Sequence, residues 1–489
     1  MKSAASAKVL EKALGRERCE LTVADAAARS GLPLREAAEG LTALAASYDG
    51  HLAATSKGEL IYQFPRGLVR AEGAAGPLAR FARGAARLAL GLGRLVVRAW
   101  VSVVLVGYAL VFAGVLIAVA LRSDDDGPGE IVLVVLRVIG ETLFWTFHPF
   151  SPLRLDREPS WLRRRGRPAV PFYERVNRVV FGVPTPPPDP RGDDRKALAE
   201  IRRQKGRVVP GDLMRVTGAA RDEAERQLLR LVADHGGEIE VSDEAAIVYR
   251  FPGLRATASA PGQAVTGGPP AVWTERAMVP PLTGNGAGFN LLFGAVNGFN
   301  LVASGFALHA GLTFERVGEL VASIGVPEGP PPPSGDVPLV LGAIPFAFSL
   351  ALFALPVVRA VRRRFQARRV ARENGRRGLL RLLFGKDEKV AERQAIAPTA
   401  SSDSLVERHT PEEVAAAWTA AAGRAPDERE LAEAVRSLGG DLELGADGKL
   451  VYEFDVIARE RAAIQGERTR ASNDEASPGA VVFSSADGG

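Results

Sequence analysis

The sequence predicts a multidomain α+β membrane protein: three small helix-plus-hairpin domains and an α-helical membrane region of about four spans. Three observations predict it. A short pattern occurs three times, as "KGELIYQFP" (Lys57–Pro65), "DEAAIVYRFP" (Asp243–Pro252) and "DGKLVYEFD" (Asp447–Asp455). Four apolar segments lie between the copies, and arginines gather at one end of those segments and acids at the other. At 489 residues the chain exceeds what one core fills, since single cores stop growing near about 250 to 300 residues.

The triplicated pattern has a register. With Tyr62, Tyr249 and Tyr452 aligned, a glycine stands twelve residues earlier in each copy, at Gly50, Gly237 and Gly440. Nine residues before these glycines stand Leu41, Leu228 and Leu431, each followed at plus three and plus four by further apolar residues, which is one face of a helix. A turn such as "RSGLP" (Arg29–Pro33) or "VTGAA" (Val216–Ala220) precedes that helix, with a shorter helical run before it. After the glycine, apolar residues alternate at period two, ending on Tyr62 and Phe64, Tyr249 and Phe251, or Tyr452 and Phe454. Alternation puts each set on one face of a hairpin, where these six aromatics are expected to be core residues. Helix, turn, helix and hairpin in this order resemble the winged-helix fold, over 5–65, 195–254 and 406–457.

Winged helices bind DNA or dock proteins, and the surface of the second turn-helix discriminates. Residues 34–46 carry net minus one, residues 221–233 net zero and residues 426–438 net minus two. Phosphate neutralisation supplies most non-specific DNA affinity, so nucleic acid is disfavoured as a partner. The basic run "RKALAEIRRQKGR" at the start of the second copy is expected to be a solvated face near anionic lipid.

The spans are expected at 99–121 and 131–147, a hairpin within 78–150, and at 289–310 and 338–358, a hairpin within 286–358. Residues 66–98 hold seven arginines against Glu72, 154–178 eight arginines, and 359–389 twelve Lys or Arg, whereas "RSDDDGPGE" and 311–336 are acidic. Positive charge marks the cytoplasmic side, so both termini and all three domains are expected in the cytoplasm of a bacterial inner membrane. The first apolar run begins near residue 90, so no cleaved leader is expected. The remaining boundaries are an interfacial amphipathic helix at 168–183, a linker at 255–285, a basic juxtamembrane segment and linker at 359–405, and a disordered tail at 458–489.

Candidate functional residues within the spans are few. Arg137 and Glu141 share a helical face in the second span, as a functional pair or a mutually neutralised packing pair. Asn290, Asn297 and Ser304 recur every seven residues beside Gly294, Gly298 and Gly305, a stripe suited to close helix packing. The five histidines are scattered, Cys19 is the single cysteine, and HExxH, Walker and GxSxG motifs are absent. No catalytic residue, metal or cofactor is therefore expected.

"PFYERVNRVVFG" (Pro171–Gly182), with a following hairpin ending in Y-x-F-P, resembles an uncharacterised membrane-protein family found in cyanobacteria and plastids. Its members are sometimes labelled for iron–sulfur cluster biosynthesis, and with a lone Cys19 the resemblance implies architecture only. The function expected is a protein-docking or assembly platform, partnered by the lipid bilayer, a cytoplasmic protein and a second copy of the chain. The rival readings are a membrane-tethered DNA-binding transcription regulator and a small transporter with cytoplasmic regulatory domains.

Overall fold

Residue-level signals set the element ends in the amino-terminal part. Helix α1 (Lys2–Leu14) and strand β1 (Cys19–Leu21) precede α2 (Val23–Ser30), α3 (Leu34–Tyr48) and the hairpin β2 (His51–Thr55) and β3 (Leu60–Phe64). Helix α2 starts where it does because the Thr22 hydroxyl accepts the Asp25 N–H (3.1 Å) while the Asp25 carboxylate accepts the Thr22 N–H (2.9 Å). It stops at Gly31, whose φ of 72° ends the helix in the left-handed region. The described residues of the computed structural model are 2–15, 18–48, 50–68, 99–117, 170–187, 189–255, 268–323, 338–394, 407–445, 448–470 and 481–485.

The middle of the chain supplies α4 (Gly192–Arg203), β4 (Arg207–Val208), α5 (Pro210–Thr217), α6 (Arg221–His235) and the hairpin β5 (Glu238–Val241) and β6 (Ile247–Arg250). The long helix α7 (Ile344–Gln394) is followed by β7 (Arg408–His409), α8 (Pro411–Ala422), α9 (Glu428–Ser437) and the hairpin β8 (Asp441–Leu444) and β9 (Leu450–Glu453). Then come α10 (Asp455–Arg470) and β10 (Val481–Ser484). The sheets are antiparallel, in the orders β1-β3-β2-β10, β4-β6-β5 and β7-β9-β8. The tyrosine strand is central in each trio, opposite Leu52, Ile239 or Leu442 of the neighbouring edge strand.

The glycines at the fixed register have a physical reason other than capping. In the second and third blocks the residues that turn out of the helix are Gly236 (φ 64°) and Gly439 (φ 85°), one position earlier. Gly50, Gly237 and Gly440 instead lie under phenylalanine rings. A Cβ on Gly50 would come within 2.8 Å of the Phe64 ring, and one on Gly237 within 2.9 Å of the Phe251 ring. A Cβ on Gly440 would collide with the Phe454 ring in the same way. Each block thus seats one aromatic on one hydrogen-only position.

The chain divides into two units, Met1–Ala74 with Pro187–Met278 and Arg368–Gly489, and Ala75–Pro186 with Val279–Ala367. In the first, the second and third blocks share one hydrophobic core. Leu198, Leu213, Leu228 and Phe251 pack in a single cluster with Trp418, Leu431 and Phe454, joined by Leu379, Leu380 and Leu383 of α7. The amino-terminal block keeps a core of its own around Leu10, Leu41, Leu44, Tyr62 and Phe64.

Two expectations are corrected in this unit. Residues 458–489 were expected to be disordered, but α10 continues to Arg470 and β10 pairs with β2. Ile464 and Ala463 of α10 bury against Val209, Ala246 and Val248, covering the face of the second hairpin opposite Tyr249. The basic run of α4 is also not a free solvated face. Arg202 binds Asp25 (2.6 Å), Arg203 binds Glu200 (2.5 Å) and Arg195 binds Asp189 (2.5 Å), because carboxylates of the chain lie within reach.

The second unit contains helices Ala99–Ile117 and Ala287–His309 and the apolar start of α7. With Leu339–Gly385, these make three helices long and apolar enough to cross a membrane by length and composition. The described residues thus form a mixed helix and sheet protein with three candidate apolar helices. The segment 131–147 lies outside the described residues. Helix Phe172–Phe181 was expected to lie on lipid headgroups. Its stripe of Val176, Val179 and Val180 packs instead against Val101, Leu105, Phe289, Phe293 and Leu352. The Arg359 guanidinium donates to the Val179 and Val180 carbonyls (2.8 and 3.2 Å), capping that helix's C-terminal end. Gly182, with φ of 94°, leaves room for it: a Cβ there would lie 2.6 Å from the guanidinium.

Candidate functional site

The six hairpin aromatics are buried, with Phe64, Phe251 and Phe454 each about 1% exposed or less. These rings pack into the cores of their blocks. What the hairpins present to solvent is the rest of the same alternating set. Leu52 and Leu60, then Ile239, Val241 and Ile247, then Leu442, Leu444 and Leu450 are exposed, Leu444 by 70%. Tyrosine at the hairpin base reaches the core, while the residues toward the tip overhang it.

Beneath the hairpins runs a seam of buried charge that ties the blocks together. Asp25 of α2 holds Arg202 of α4. Glu200, buried in α4, binds Arg203 (2.5 Å) and Arg215 of α5 (2.7 Å) and accepts from Gln204 (2.8 Å). Burial opposes its charge, but these three donors outweigh burial and hold the carboxyl below its usual range. Glu460 of α10 is buried between Arg221 of α6 and the Gly211 N–H of α5 (3.2 Å). Burial dominates at this carboxyl, which is lifted to about 6 against the pull of Arg221. Arg468 pairs with Asp212, and Glu467 accepts from Arg250 (2.7 Å) and Arg207 (3.3 Å). Among the described residues, four ion pairs and the Gly211 N–H bond therefore join α10 to the second block.

Similar pairs engage four arginines of the helices that a groove-reading protein would present. Arg221 is held by Glu225 and Glu460, Arg230 by Asp194 (2.6 Å), Arg35 by Glu39 (3.3 Å) and Arg429 by Glu433 (2.9 Å). An arginine already facing a carboxylate gains little from a phosphate.

In the second unit the asparagines work through their amides. Asn297 Nδ2 donates to the Ser349 carbonyl (3.0 Å), Asn300 Nδ2 to the Leu105 carbonyl (2.7 Å), and Ser304 Oγ to the Asn300 carbonyl (2.6 Å). Asn290 Nδ2 donates to Thr283 Oγ1 (3.1 Å). The buried face of Ala287–His309 runs through Phe289, Phe293, Asn297, Asn300, Ser304 and Ala307, at helical spacing of three and four. Asn297 and Ser304 of the seven-residue stripe lie on that face, whereas Asn290 and the three glycines are rotated from it. A Cβ on Gly294 or Gly298 would meet nothing within 4 Å among the described residues, and only Gly305 has a neighbour, Phe346. Arg137 and Glu141 lie outside the described residues.

Asn300, Glu200 and Glu460 were not singled out from the sequence. A usable signal existed for two of them: Glu460 lies at helical spacing from Ile457 and Ile464, and Glu200 three residues after Ala197. A carboxylate on an apolar stripe is either paired or neutral.

Comparison with known proteins is sparse. No family model matches the chain, and no solved structure matches it. An uncharacterised chloroplastic protein of Arabidopsis thaliana is 27% identical over 271 residues, which is 49% of this chain and 47% of that protein. The matched region spans about half the length of that relative. A distant plastid relative fits the resemblance to the cyanobacterial and plastid family at that coarse level.

Proposed function

We propose that the three helix-plus-hairpin blocks are winged-helix modules in triplicate, held on the cytoplasmic face of a bacterial inner membrane. There they act as a protein-docking or assembly platform. The single observation that carries this reading is the contrast between helix and hairpin. Arg221, Arg230 and Arg429 of the helices that would meet DNA face carboxylates of the chain itself, whereas Ile239, Val241, Leu442 and Leu444 overhang the core as exposed apolar side chains. Exposed apolar patches of this kind fit a protein partner better than a phosphate backbone.

The Asp25–Arg202 ion pair supports a shared side for the first two blocks. Two blocks that touch must lie on one side of a bilayer, which requires an even number of crossings between residues 68 and 187. The expected pairing of Ala99–Ile117 with a span at 131–147, which lies outside the described residues, meets that requirement. Helices Ala287–His309 and Leu339–Gly385 supply the second pair, ahead of the third block.

The experiment places a photo-crosslinking side chain at Val241, Leu444 or, as control, Arg226 of the full chain in its native membrane. Discrete protein adducts from the two hairpin positions and none from Arg226 are expected. Retention of a DNA duplex by the detergent-solubilised chain at physiological salt, with no hairpin adduct, favours the transcription regulator instead.

A further inference from the structure

Strand β2 is the edge of the first trio, and its outer side is occupied. β10 pairs with it antiparallel, matching Val481 to Thr55, Phe483 to Ala54 and Ser484 to Ala53, with a bulge between, and Ser485 Oγ accepts the Leu52 N–H (2.9 Å). β5 and β8 hold the same edge position in their sheets, and no described strand pairs with their outer sides. An open edge offers a row of unsatisfied backbone donors and acceptors, the template for strand addition.

β8 carries a chemistry that specifies its occupant. Its residues alternate Asp441, Leu442, Glu443, Leu444, so one face is acidic and the other apolar. Leu442 and Leu444 are exposed, with Leu450 beside them on the same face. Asp441 and Glu443 form no ion pair among the described residues, whereas Glu240 of β5 already binds Arg250 (2.5 Å). We propose that the outer edge of β8 takes an extended peptide segment of a partner protein that alternates basic and apolar residues, added antiparallel as β10 is added to β2. The inference rests on the docking-platform reading and names the chemistry of one of its partners.

Backbone pairing would supply affinity, and cations opposite Asp441 and Glu443 with aliphatics opposite Leu442 and Leu444 would supply register. A charged edge can also serve only to prevent strand pairing, and the experiment opposes the two. The full chain in detergent is titrated with a fluorescent, end-blocked hexapeptide of alternating valine and arginine. Two control peptides have arginine replaced by glutamate, or alternate backbone amides methylated.

Saturable binding of the basic peptide is expected, weakened about tenfold or more by methylation, by the glutamate peptide and by Glu443→Lys in the protein. Equal changes from Glu240→Lys on β5 would contradict the assignment to β8. Unchanged binding of the methylated peptide, or no binding at all, overturns strand addition. If peptide binding fails while photo-adducts at Leu444 persist in native membranes, strand addition is lost and the platform reading stands. Failure of both removes both.

Discussion

Phe251 shows how a repeated residue becomes a structural requirement. Its ring is fully buried against Gly237 and within the core shared by two blocks. Phe251→Ala should therefore cost about 3 to 5 kcal/mol, measured by denaturant unfolding of the detergent-solubilised chain. If Phe251→Ala unfolds like wild type but loses its hairpin photo-adducts, the ring is a recognition residue. Glu460 carries the pH signature. Its carboxyl is lifted by burial from its ordinary 4.5 to about 6, so the folded state binds the proton more tightly than the unfolded one. The stability this group contributes is greatest below about 4.5 and is lost as pH rises to about 6. Relative to Glu460→Gln, wild type should lose about 2 kcal/mol across that window, read as the difference between the two unfolding curves against pH. A difference that is flat with pH would mean that Glu460 is solvated.

At the scale of elements, α10 is the piece the sequence concealed. Its buried apolar residues are few, Ile457, Ala458, Ala463 and Ile464, separated by charges, so its periodicity is weak when read alone. The helix is fixed from outside, by Arg221 on Glu460, Arg250 on Glu467 and Arg468 on Asp212, partners more than 200 residues away in sequence. Arg250 lies on the outer face of a hairpin, and only the fold brings Glu467 to it. Ending the chain after Phe454 should therefore destabilise the second block, though it removes none of that block's residues. Hydrogen exchange should quicken in β6 and α5 and leave α3 unchanged. Equal exchange in the truncated and full chains would mean that α10 only rests on the surface.

The hairpins, by contrast, were legible because period-two alternation and the tyrosine register are local signals. The register could not tell a capping glycine from one that seats a ring, since Gly236 and Gly439 stand beside the aligned positions. The stripe of Ala287–His309 was legible only in part: Asn297 and Ser304 are buried as the spacing suggested, but Asn290 is not. Seven-residue spacing selected Asn290 and passed over Asn300, yet the buried face is set by which neighbours the helix meets, among them Leu105 and Ser349.

At the scale of the whole molecule, the blocks were legible one at a time and their union was not. Loop charges assign all three to one side, but nothing local announces that the second and third share a core or that α2 holds α4. Those contacts make a strict demand on topology, because blocks bonded to each other cannot be separated by a bilayer. The central claim is that three docking modules face one side of the membrane. Its most direct test is thiol accessibility in the full chain with Cys19→Ser as background. Single cysteines are placed at Lys57, Glu244 and Lys449, near the three hairpin tips, and at Asp126 and Gly329 in the two acidic loops. In intact cells a membrane-impermeant maleimide should label Asp126→Cys and Gly329→Cys, while Lys57→Cys, Glu244→Cys and Lys449→Cys react only after lysis. Labelling of Glu244→Cys from outside, with Lys57→Cys protected, would put the first two blocks on opposite sides and contradict the account.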